Sequence, residues 1–192
     1  MIVLVSGGSG SGKSAWAEAL AMRLDPGEKA YIATMRAWGK EGAARVERHR
    51  KLRAGKNFFT VEQPVDLMAL GSADWLQAGK NTTVLLECTS NLLANEIFDP
   101  EGAGREAVSA AMQGFEMLAA RAGNLVIVTN EIFSDGGTYD EDMRFYLEAL
   151  GSVNRSLAEM ADAVVEVVYS IPVFHKGKAA VEAAGIAGKA DI

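Results

Sequence analysis

A glycine-rich motif near the start of the chain restricts the fold more than any other feature. Residues Gly7 to Ser14 read GGSGSGKS and satisfy the pattern G-x-x-x-x-G-K-[ST]. An apolar run, Ile2–Ser6, precedes the motif, and a helical pattern over residues 14–23 follows it. This order of strand, loop and helix is the context in which the motif forms a P-loop. The sequence therefore predicts a site for nucleotide phosphates.

The positions of this motif have distinct physical roles. Glycines let the backbone curl so that its N–H groups point at a phosphate. Lys13 supplies a cation to the outer phosphates, and the Ser14 hydroxyl can ligate Mg²⁺. The predicted phosphate-binding residues are Gly7, Gly8, Ser9, Gly10, Ser11, Gly12, Lys13 and Ser14. A flexible Gly/Ser turn is the alternative, and a dinucleotide fingerprint fits less well because it needs glycine at position 13.

Strand-like and helix-like segments alternate along the chain. The predicted strands are residues 2–6, 29–34, 58–61, 82–87, 124–129, 164–169 and 172–175. The predicted helices are residues 14–23, 43–53, 64–76, 92–98, 106–122 and 140–160. Such alternation predicts an α/β three-layer sandwich with a mostly parallel sheet, and the last two strands are close enough to form an antiparallel hairpin.

Length and composition indicate a single domain over residues 1–192, with a loosely ordered Ala- and Gly-rich tail at residues 179–192. No apolar run approaches the roughly 18 residues of a membrane span. Cys88 is the only cysteine, which excludes a disulfide scaffold. We therefore expect a cytoplasmic protein that does not enter a membrane.

Charge is distributed unevenly. The net charge is −6, yet residues 36–56 hold eight basic side chains against two acidic ones, so this segment carries +6 and the remainder −12. A local basic element on an acidic protein suits a small, highly charged anion better than a nucleic acid, whose backbone the remaining surface would repel. A solvated helix face is the alternative explanation.

Polar side chains follow two of the predicted strands. Glu87 ends an apolar strand, where it would hold Mg²⁺ beside the P-loop; a solvated strand-end acid is the alternative. Asn130 and Glu131 follow the next strand and either orient substrate or cap the following loop. Cys88 fits a small buried side chain better than a nucleophile.

One of the two histidines lies within the basic segment. His49 has Arg45 and Arg53 one helical turn to either side. An imidazole can attack phosphorus, and flanking guanidinium groups would neutralise the charge of a triphosphate. An ordinary surface histidine is the alternative for His49 and the preferred reading for His175.

Six motifs together resemble a known family. They are GGSGSGKS at 7–14, YIAT at 31–34, RVERHR at 45–50, TVEQP at 60–64, LLEC at 85–88 and VTNE at 128–131. In this order and spacing they resemble the CobU-type family of bifunctional adenosylcobinamide kinases and adenosylcobinamide-phosphate guanylyltransferases. The resemblance covers roughly residues 1–175 and implies a RecA-like P-loop fold, a homotrimer and a role in cobalamin synthesis.

The resemblance implies two reactions. In the first, the γ-phosphate of ATP or GTP passes to the hydroxyl of the aminopropanol arm of adenosylcobinamide. In the second, a histidine attacks the α-phosphate of GTP, expels pyrophosphate, and passes GMP to adenosylcobinamide phosphate. By motif position His49 is that histidine, with Arg45 and Arg50 at the triphosphate and Lys13 at the nucleotide phosphates.

The remaining residue roles also come from the resemblance. Ser14 and Glu87 would hold Mg²⁺, and Thr34 and Glu62 would contribute to nucleotide binding. The sequence departs from the family pattern at residues 132–137, which read IFSDGG where Val-Gly and Gly-Ile-Val-Pro are usual, and at residues 146–148, which read YLE where Phe-Arg-Asp is usual. Both departures lie where we expect contact with the corrinoid or a neighbouring subunit.

Two other functions are compatible with a P-loop. One is a kinase of a small alcohol that never forms a covalent nucleotide. The other is a regulatory protein in which the nucleotide drives a conformational switch. The basic segment with His49 favours the bifunctional enzyme over the plain kinase, because a kinase needs no nucleophilic histidine. Small size and the lack of an added effector domain count against the switch protein.

Overall fold

The computed structural model describes residues 1–36, 55–77, 81–133 and 138–185. Its strands are β1 (Ile2–Ser6), β2 (Lys29–Ala33), β3 (Phe58–Glu62), β4 (Thr83–Glu87), β5 (Asn124–Val128), β6 (Ala163–Val168) and β7 (Ile171–Lys176). Its helices are α1 (Lys13–Leu24), α2 (Thr89–Phe98), α3 (Ala107–Arg121), α4 (Glu141–Met160) and α5 (Lys178–Ala183). Short 3-10 segments lie at Leu67–Ser72, Asp74–Leu76 and Gly104–Glu106.

Within the described residues the strands form one seven-stranded sheet in the order β3-β2-β4-β5-β1-β6-β7. Neighbouring strands are parallel except β7, which is antiparallel to β6. The register aligns Val5 with Val128 and Val128 with Glu87. The ends of β1, β5 and β4 therefore meet at one edge of the sheet, and the predicted mostly parallel sheet with its C-terminal hairpin is confirmed.

Each face of the sheet is covered by helices. Val3 and Val5 of β1 lie in one core with Trp16 of α1 and Val181 of α5, whereas Leu4 lies in the other core. That second core contains residues of α2, α3 and α4, among them Leu93, Phe115, Leu118, Leu150 and Val153. Alternate residues of a strand face opposite sides of a sheet, so the apolar run of β1 supplies both cores. The predicted three-layer sandwich is confirmed.

The segment predicted as a helix at residues 64–76 folds instead as two 3-10 turns. Leu67, Leu70 and Leu76 are its buried residues, spaced in multiples of three, the repeat of a 3-10 helix. Asp66 precedes the first turn with φ 51°, and Gly71 lies within it, so a continuous α-helix over residues 64–76 is disfavoured. Apolar content alone does not distinguish the two helix types.

Two further differences concern the ends of elements. Helix α2 begins at Thr89 rather than at residue 92, because the polar side chains after β4 belong to its first turn. The tail predicted to be loosely ordered includes all but the first residue of α5, which buries Val181 completely. The predicted helix at 43–53 lies outside the described residues, as do residues 134–137 of the segment at 132–137 that departs from the family pattern.

Candidate active site

The P-loop connects β1 to α1, and two of its glycines are required by close packing. Gly12 caps α1 with φ 90°, and a Cβ built on it would lie 2.5 Å from the Ser170 Oγ. A Cβ on Gly7 would lie 2.6 Å from the backbone oxygen of Val167. Within the loop, the amide of Ser11 donates to the Gly8 oxygen at 3.2 Å. The predicted loop is therefore a tight turn fitted against the end of β6.

Lys13 lies at the first position of α1 and is only 8% exposed. Its ammonium donates to the backbone oxygen of Gly8 at 3.1 Å. Burial lowers the pKa of Lys13, and the nearby Cys88 and Glu87 act in the opposite direction. A largely buried ammonium held by a carbonyl is a strong site for an anion, because an incoming phosphate replaces a weak partner with a charged one.

Glu87 ends β4 and is held by two hydroxyl groups. Ser14, in the first turn of α1, donates to one of its carboxylate oxygens. The Tyr31 hydroxyl donates to the other at 2.9 Å. The carboxylate predicted to lie beside the P-loop is therefore in direct contact with the P-loop serine.

Thr34 follows β2 and holds the chain immediately after Glu87. Its hydroxyl donates to the Cys88 oxygen at 2.8 Å and accepts from the Cys88 amide at 2.7 Å. The amide of Thr34 donates to the Glu87 oxygen at 3.1 Å, and the peptide between Glu87 and Cys88 is cis. Because Thr34 is fully buried, the structure places it behind Glu87 rather than on the surface of the P-loop.

Asn130 and Glu131 follow β5 and take different roles. The side-chain amide of Asn130 donates to the Ser90 hydroxyl at 2.5 Å, which joins the end of β5 to α2. The carboxylate of Glu131 accepts from the Phe133 amide at 2.9 Å, and the amide of Glu131 donates to the Gly7 oxygen at 3.1 Å. Glu131 therefore caps the following loop, whereas Asn130 holds the end of β5 against α2.

Two groups that contact Ser90, the Cys88 thiol and the Tyr146 phenol, are held in their neutral forms. Burial raises the pKa of the Cys88 thiol, whose sulfur lies 3.1 Å from the Ser90 hydroxyl. Burial also raises the pKa of Tyr146 to about 12, and the Tyr146 hydroxyl donates to the backbone oxygen of Ser90 at 3.1 Å. A thiol is a poor nucleophile when its thiolate is disfavoured, which agrees with the interpretation of Cys88 as a buried side chain.

The oxygen atoms at this edge suit a magnesium ion. Among the described residues no group of three or more His, Cys, Asp or Glu side chains could enclose a metal. Magnesium, however, is commonly held by one or two protein oxygens together with substrate phosphates and water. The adjacent Ser14 hydroxyl and Glu87 carboxylate provide such a pair beside the P-loop.

The remaining predicted site residues lie farther from Ser14 and Glu87 or outside the described residues. Glu62 is exposed at the end of β3, in register with Ala33, which is itself in register with Glu87. It therefore lies at the same sheet edge, two strands from Glu87. His49, Arg45 and Arg50 lie outside the described residues.

Sequence patterns did not identify Tyr31, Ser90 and Tyr146, which contact Glu87, Asn130 and Ser90, respectively. Tyr31 lies within the apolar β2, where its ring resembles an ordinary core side chain. Ser90 is three residues after Glu87, at the start of α2, a position that could have suggested a role near the sheet edge. Tyr146 is on a distant helix, and no local pattern connects it with Ser90.

Comparisons with known proteins agree with this geometry. Residues 3–174 match the model of a family described as cobinamide kinase / cobinamide phosphate guanyltransferase. The bifunctional adenosylcobalamin biosynthesis protein CobU of Escherichia coli strain K12 is 35% identical over 184 residues, covering 90% of this chain and 98% of that protein. The protein of the same name from Salmonella typhimurium strain LT2 is 33% identical over 184 residues, again covering 90% of this chain and 98% of that protein.

A solved structure is also similar to this chain. It is the flagellar accessory protein FlaH of Methanocaldococcus jannaschii, at 12% identity, with a TM-score of 0.49 over 94% of this chain and 80% of that one. Within the described residues, no helix combines the length and apolar character needed to span a bilayer. The family model and the two CobU proteins each match most of the chain, and the chain belongs to the family of cobinamide kinases / cobinamide phosphate guanyltransferases.

Proposed function

We propose that this chain phosphorylates adenosylcobinamide with ATP or GTP and then transfers GMP from GTP to adenosylcobinamide phosphate, giving adenosylcobinamide-GDP. The contact between the Ser14 hydroxyl and the Glu87 carboxylate, beside the buried Lys13, carries this proposal. It supplies a hydroxyl, a carboxylate and a cation at the end of a P-loop, which are the groups that phosphoryl transfer uses.

In the kinase step, the P-loop amides and Lys13 bind the outer phosphates and stabilise the charge that develops on them. Bound Mg²⁺ would be held by Ser14 and Glu87 and would neutralise phosphate charge. The alcohol oxygen of the corrinoid attacks the γ-phosphorus, the bond to the bridging oxygen breaks, the nucleoside diphosphate leaves, and the hydroxyl proton is released to solvent. Asn130, whose side-chain amide donates to the Ser90 hydroxyl, accepts a hydrogen bond from the attacking hydroxyl through its amide oxygen and orients it.

The second step requires a nucleophile, and the sequence offers His49. Its imidazole attacks the α-phosphorus of GTP, a nitrogen–phosphorus bond forms, and pyrophosphate leaves. The phosphate of adenosylcobinamide phosphate then attacks the same phosphorus and releases the histidine. Arg45 and Arg50 share the +6 charge of residues 36–56, which favours binding of the triphosphate.

Five further features belong to this proposal. Thr34 acts on the nucleotide site through the chain after Glu87, and Glu62 contributes to nucleotide binding from the same sheet edge, two strands from Glu87. The chain is a single nucleotide-binding domain over residues 1–192, it assembles as a homotrimer, and it acts in the cytoplasm. Light scattering of the purified protein tests the assembly, for which a stable monomer would be the contrary result.

A product assay tests the two activities separately. The purified protein is incubated with adenosylcobinamide, Mg²⁺ and ATP. The corrinoids are then separated, and their masses are determined by mass spectrometry before and after GTP is added. We expect adenosylcobinamide phosphate first and adenosylcobinamide-GDP second. Phosphate product without the GDP product would favour the plain kinase. Nucleotide hydrolysis with no transfer to the corrinoid would favour the nucleotide switch.

A further inference from the structure

The turn between β6 and β7 has an unusual backbone. Tyr169 and Ser170 have φ of 50° and 63°, in the left-handed region that is uncommon for residues with a Cβ. Two such residues in succession form the tight two-residue connection that matches the twist of a hairpin. Glycine or asparagine fills this turn with less strain, so packing of the turn alone does not account for a tyrosine.

This turn is attached directly to the P-loop. The Ser170 amide donates to the Ser11 oxygen at 2.7 Å, and Gly12 approaches Ser170 so closely that a Cβ would lie 2.5 Å from its Oγ. β6 is also the parallel neighbour of β1, from which the P-loop starts. The position of Tyr169 is therefore fixed relative to the phosphate-binding loop.

The Tyr169 side chain is 89% exposed, the highest value among the large exposed hydrophobic side chains of the described residues. No stacking or cation contact of its ring is present there. A ring with both faces open, one residue from a contact with the P-loop, is available to a flat apolar ligand.

The sheet order indicates which end of a nucleotide reaches this turn. Glu87 lies on β4, which is separated from β1 by β5, whereas β6 adjoins the opposite side of β1. The reacting phosphate must face Ser14 and Glu87, since these groups serve phosphoryl transfer. The nucleoside end then extends away from Glu87, toward the β6–β7 turn.

We propose that the Tyr169 ring is the stacking platform for the purine base of the nucleotide whose phosphates occupy the P-loop, an assignment that depends on the nucleotide binding proposed above. Stacking on an aromatic ring tolerates different bases, because every base has a π-face. Such a platform accepts adenine and guanine alike, in agreement with a kinase that takes its phosphate from either ATP or GTP.

The test compares ligands with and without a base. Calorimetry measures the affinity of the full chain for GTP, for ATP and for inorganic tripolyphosphate, which carries the charge without the nucleoside. The variants are Tyr169→Asn, which tolerates a positive φ but has no ring, and Tyr169→Phe, which keeps the ring. Ile171→Ala, at another exposed apolar residue of the hairpin (63% exposed), is the matched control.

We expect Tyr169→Asn to weaken both nucleotides by about 5- to 150-fold, the range given by loss of one base stack. Its affinity for tripolyphosphate should stay within about twofold of the wild type, and Tyr169→Phe and Ile171→Ala should bind all three ligands as the wild type does. Equal weakening of tripolyphosphate and GTP would overturn the proposal, because the turn would then act only by supporting the P-loop.

Unchanged GTP binding in Tyr169→Asn would also overturn the stacking platform, while leaving the P-loop assignment intact. A wild-type protein that binds neither GTP nor tripolyphosphate would instead contradict the proposed function, and the stacking platform with it. The two failures are therefore distinguishable in one set of titrations.

Discussion

The Ser14 hydroxyl donates a hydrogen bond to the carboxylate of Glu87, although 73 positions separate the two residues in the chain. Ser14 belongs to the first turn of α1, and Glu87 is the last residue of β4. Strand β5 lies between β4 and the strand that leads to the P-loop, so the contact bridges two elements that are not neighbours in the sheet. It brings together a hydroxyl and a carboxylate, both hard oxygen ligands, at the predicted phosphate site.

Removing the Ser14 hydroxyl should impair the metal-dependent part of nucleotide binding in particular. We expect Ser14→Ala to raise the Mg²⁺ concentration needed for half-maximal kinase activity by roughly 10- to 100-fold, as for the loss of groups that hold or orient a metal. GTP binding without metal should change little. Ser9→Ala, at an exposed position of the loop whose backbone amide is retained, is the control. Equal loss with and without Mg²⁺ would contradict the metal role of Ser14.

Lys13 should contribute to the reaction much more than to the fold. We expect Lys13→Ala to lower the rate of phosphoryl transfer by roughly 10²- to 10³-fold, because a fixed charge at the transferring phosphate is lost. Thermal unfolding should show that the variant remains folded. Lys178→Ala removes an exposed lysine of α5 and should leave the rate unchanged. Near-wild-type activity of Lys13→Ala would refute the P-loop assignment.

The fit of the P-loop against β6 predicts a difference between two adjacent glycines. Gly7→Ala should lower the free energy of unfolding by about 1–3 kcal/mol, since its Cβ would meet a backbone oxygen that cannot rotate away. No atom lies within 4 Å of a Cβ built on Gly8, so Gly8→Ala should change stability by less than about 0.5 kcal/mol. Urea denaturation measures both. Equal effects of the two substitutions would disagree with the packing described.

Local patterns predicted most of the sheet but not the contacts across it. The apolar run of β4 and the position of Glu87 after it were sufficient to place a carboxylate at the P-loop edge. The Tyr31 hydroxyl that holds the same carboxylate lies 56 residues away, and its partner follows only from the pairing of β2 with β4. Apolar residues 64–76 were assigned to the wrong type of helix, because burial at every third position resembles a short amphipathic α-helix.

The division of roles between Asn130 and Glu131 could not be derived from the sequence either. Both follow β5, and either side chain is able to cap a loop or reach a substrate. The role of Asn130 depends on its contact with Ser90, a residue of α2 that lies 40 positions away in the chain. Tertiary contacts of this kind have no signature in the local spacing of residues.

The raised pKa of Tyr146 predicts a loss of folding stability in alkaline solution. Its pKa is about 12 in the folded protein, above the ordinary value of 10, because burial favours the neutral phenol. The stability that this difference supplies is complete below pH 10 and is lost as the pH rises from 10 to 12, since the unfolded chain releases the proton first. Denaturation curves of Tyr146→Phe should therefore decline less over this window than those of the wild type. Identical declines would contradict the role of Tyr146, and Tyr169→Phe serves as an exposed tyrosine control.

His49 separates the bifunctional enzyme from the plain kinase. If its imidazole attacks the α-phosphate, incubation with GTP labelled at that phosphate should leave label on the protein through denaturing electrophoresis. The nitrogen–phosphorus bond should break in acid and survive base. His49→Ala should remove the label, whereas His175→Ala should keep it, because His175 lies on the exposed hairpin and pairs with Glu166 at 2.9 Å.

The same variant should divide the two activities. His49→Ala deletes a nucleophile without altering the P-loop, Ser14 or Glu87, so phosphorylation of adenosylcobinamide should continue at a substantial rate while GMP transfer ceases. A protein that carries no label, or label that persists in His49→Ala, would refute the covalent mechanism. Loss of both activities together would indicate instead that His49 supports the common nucleotide site, because a residue specific to the second step cannot slow the first.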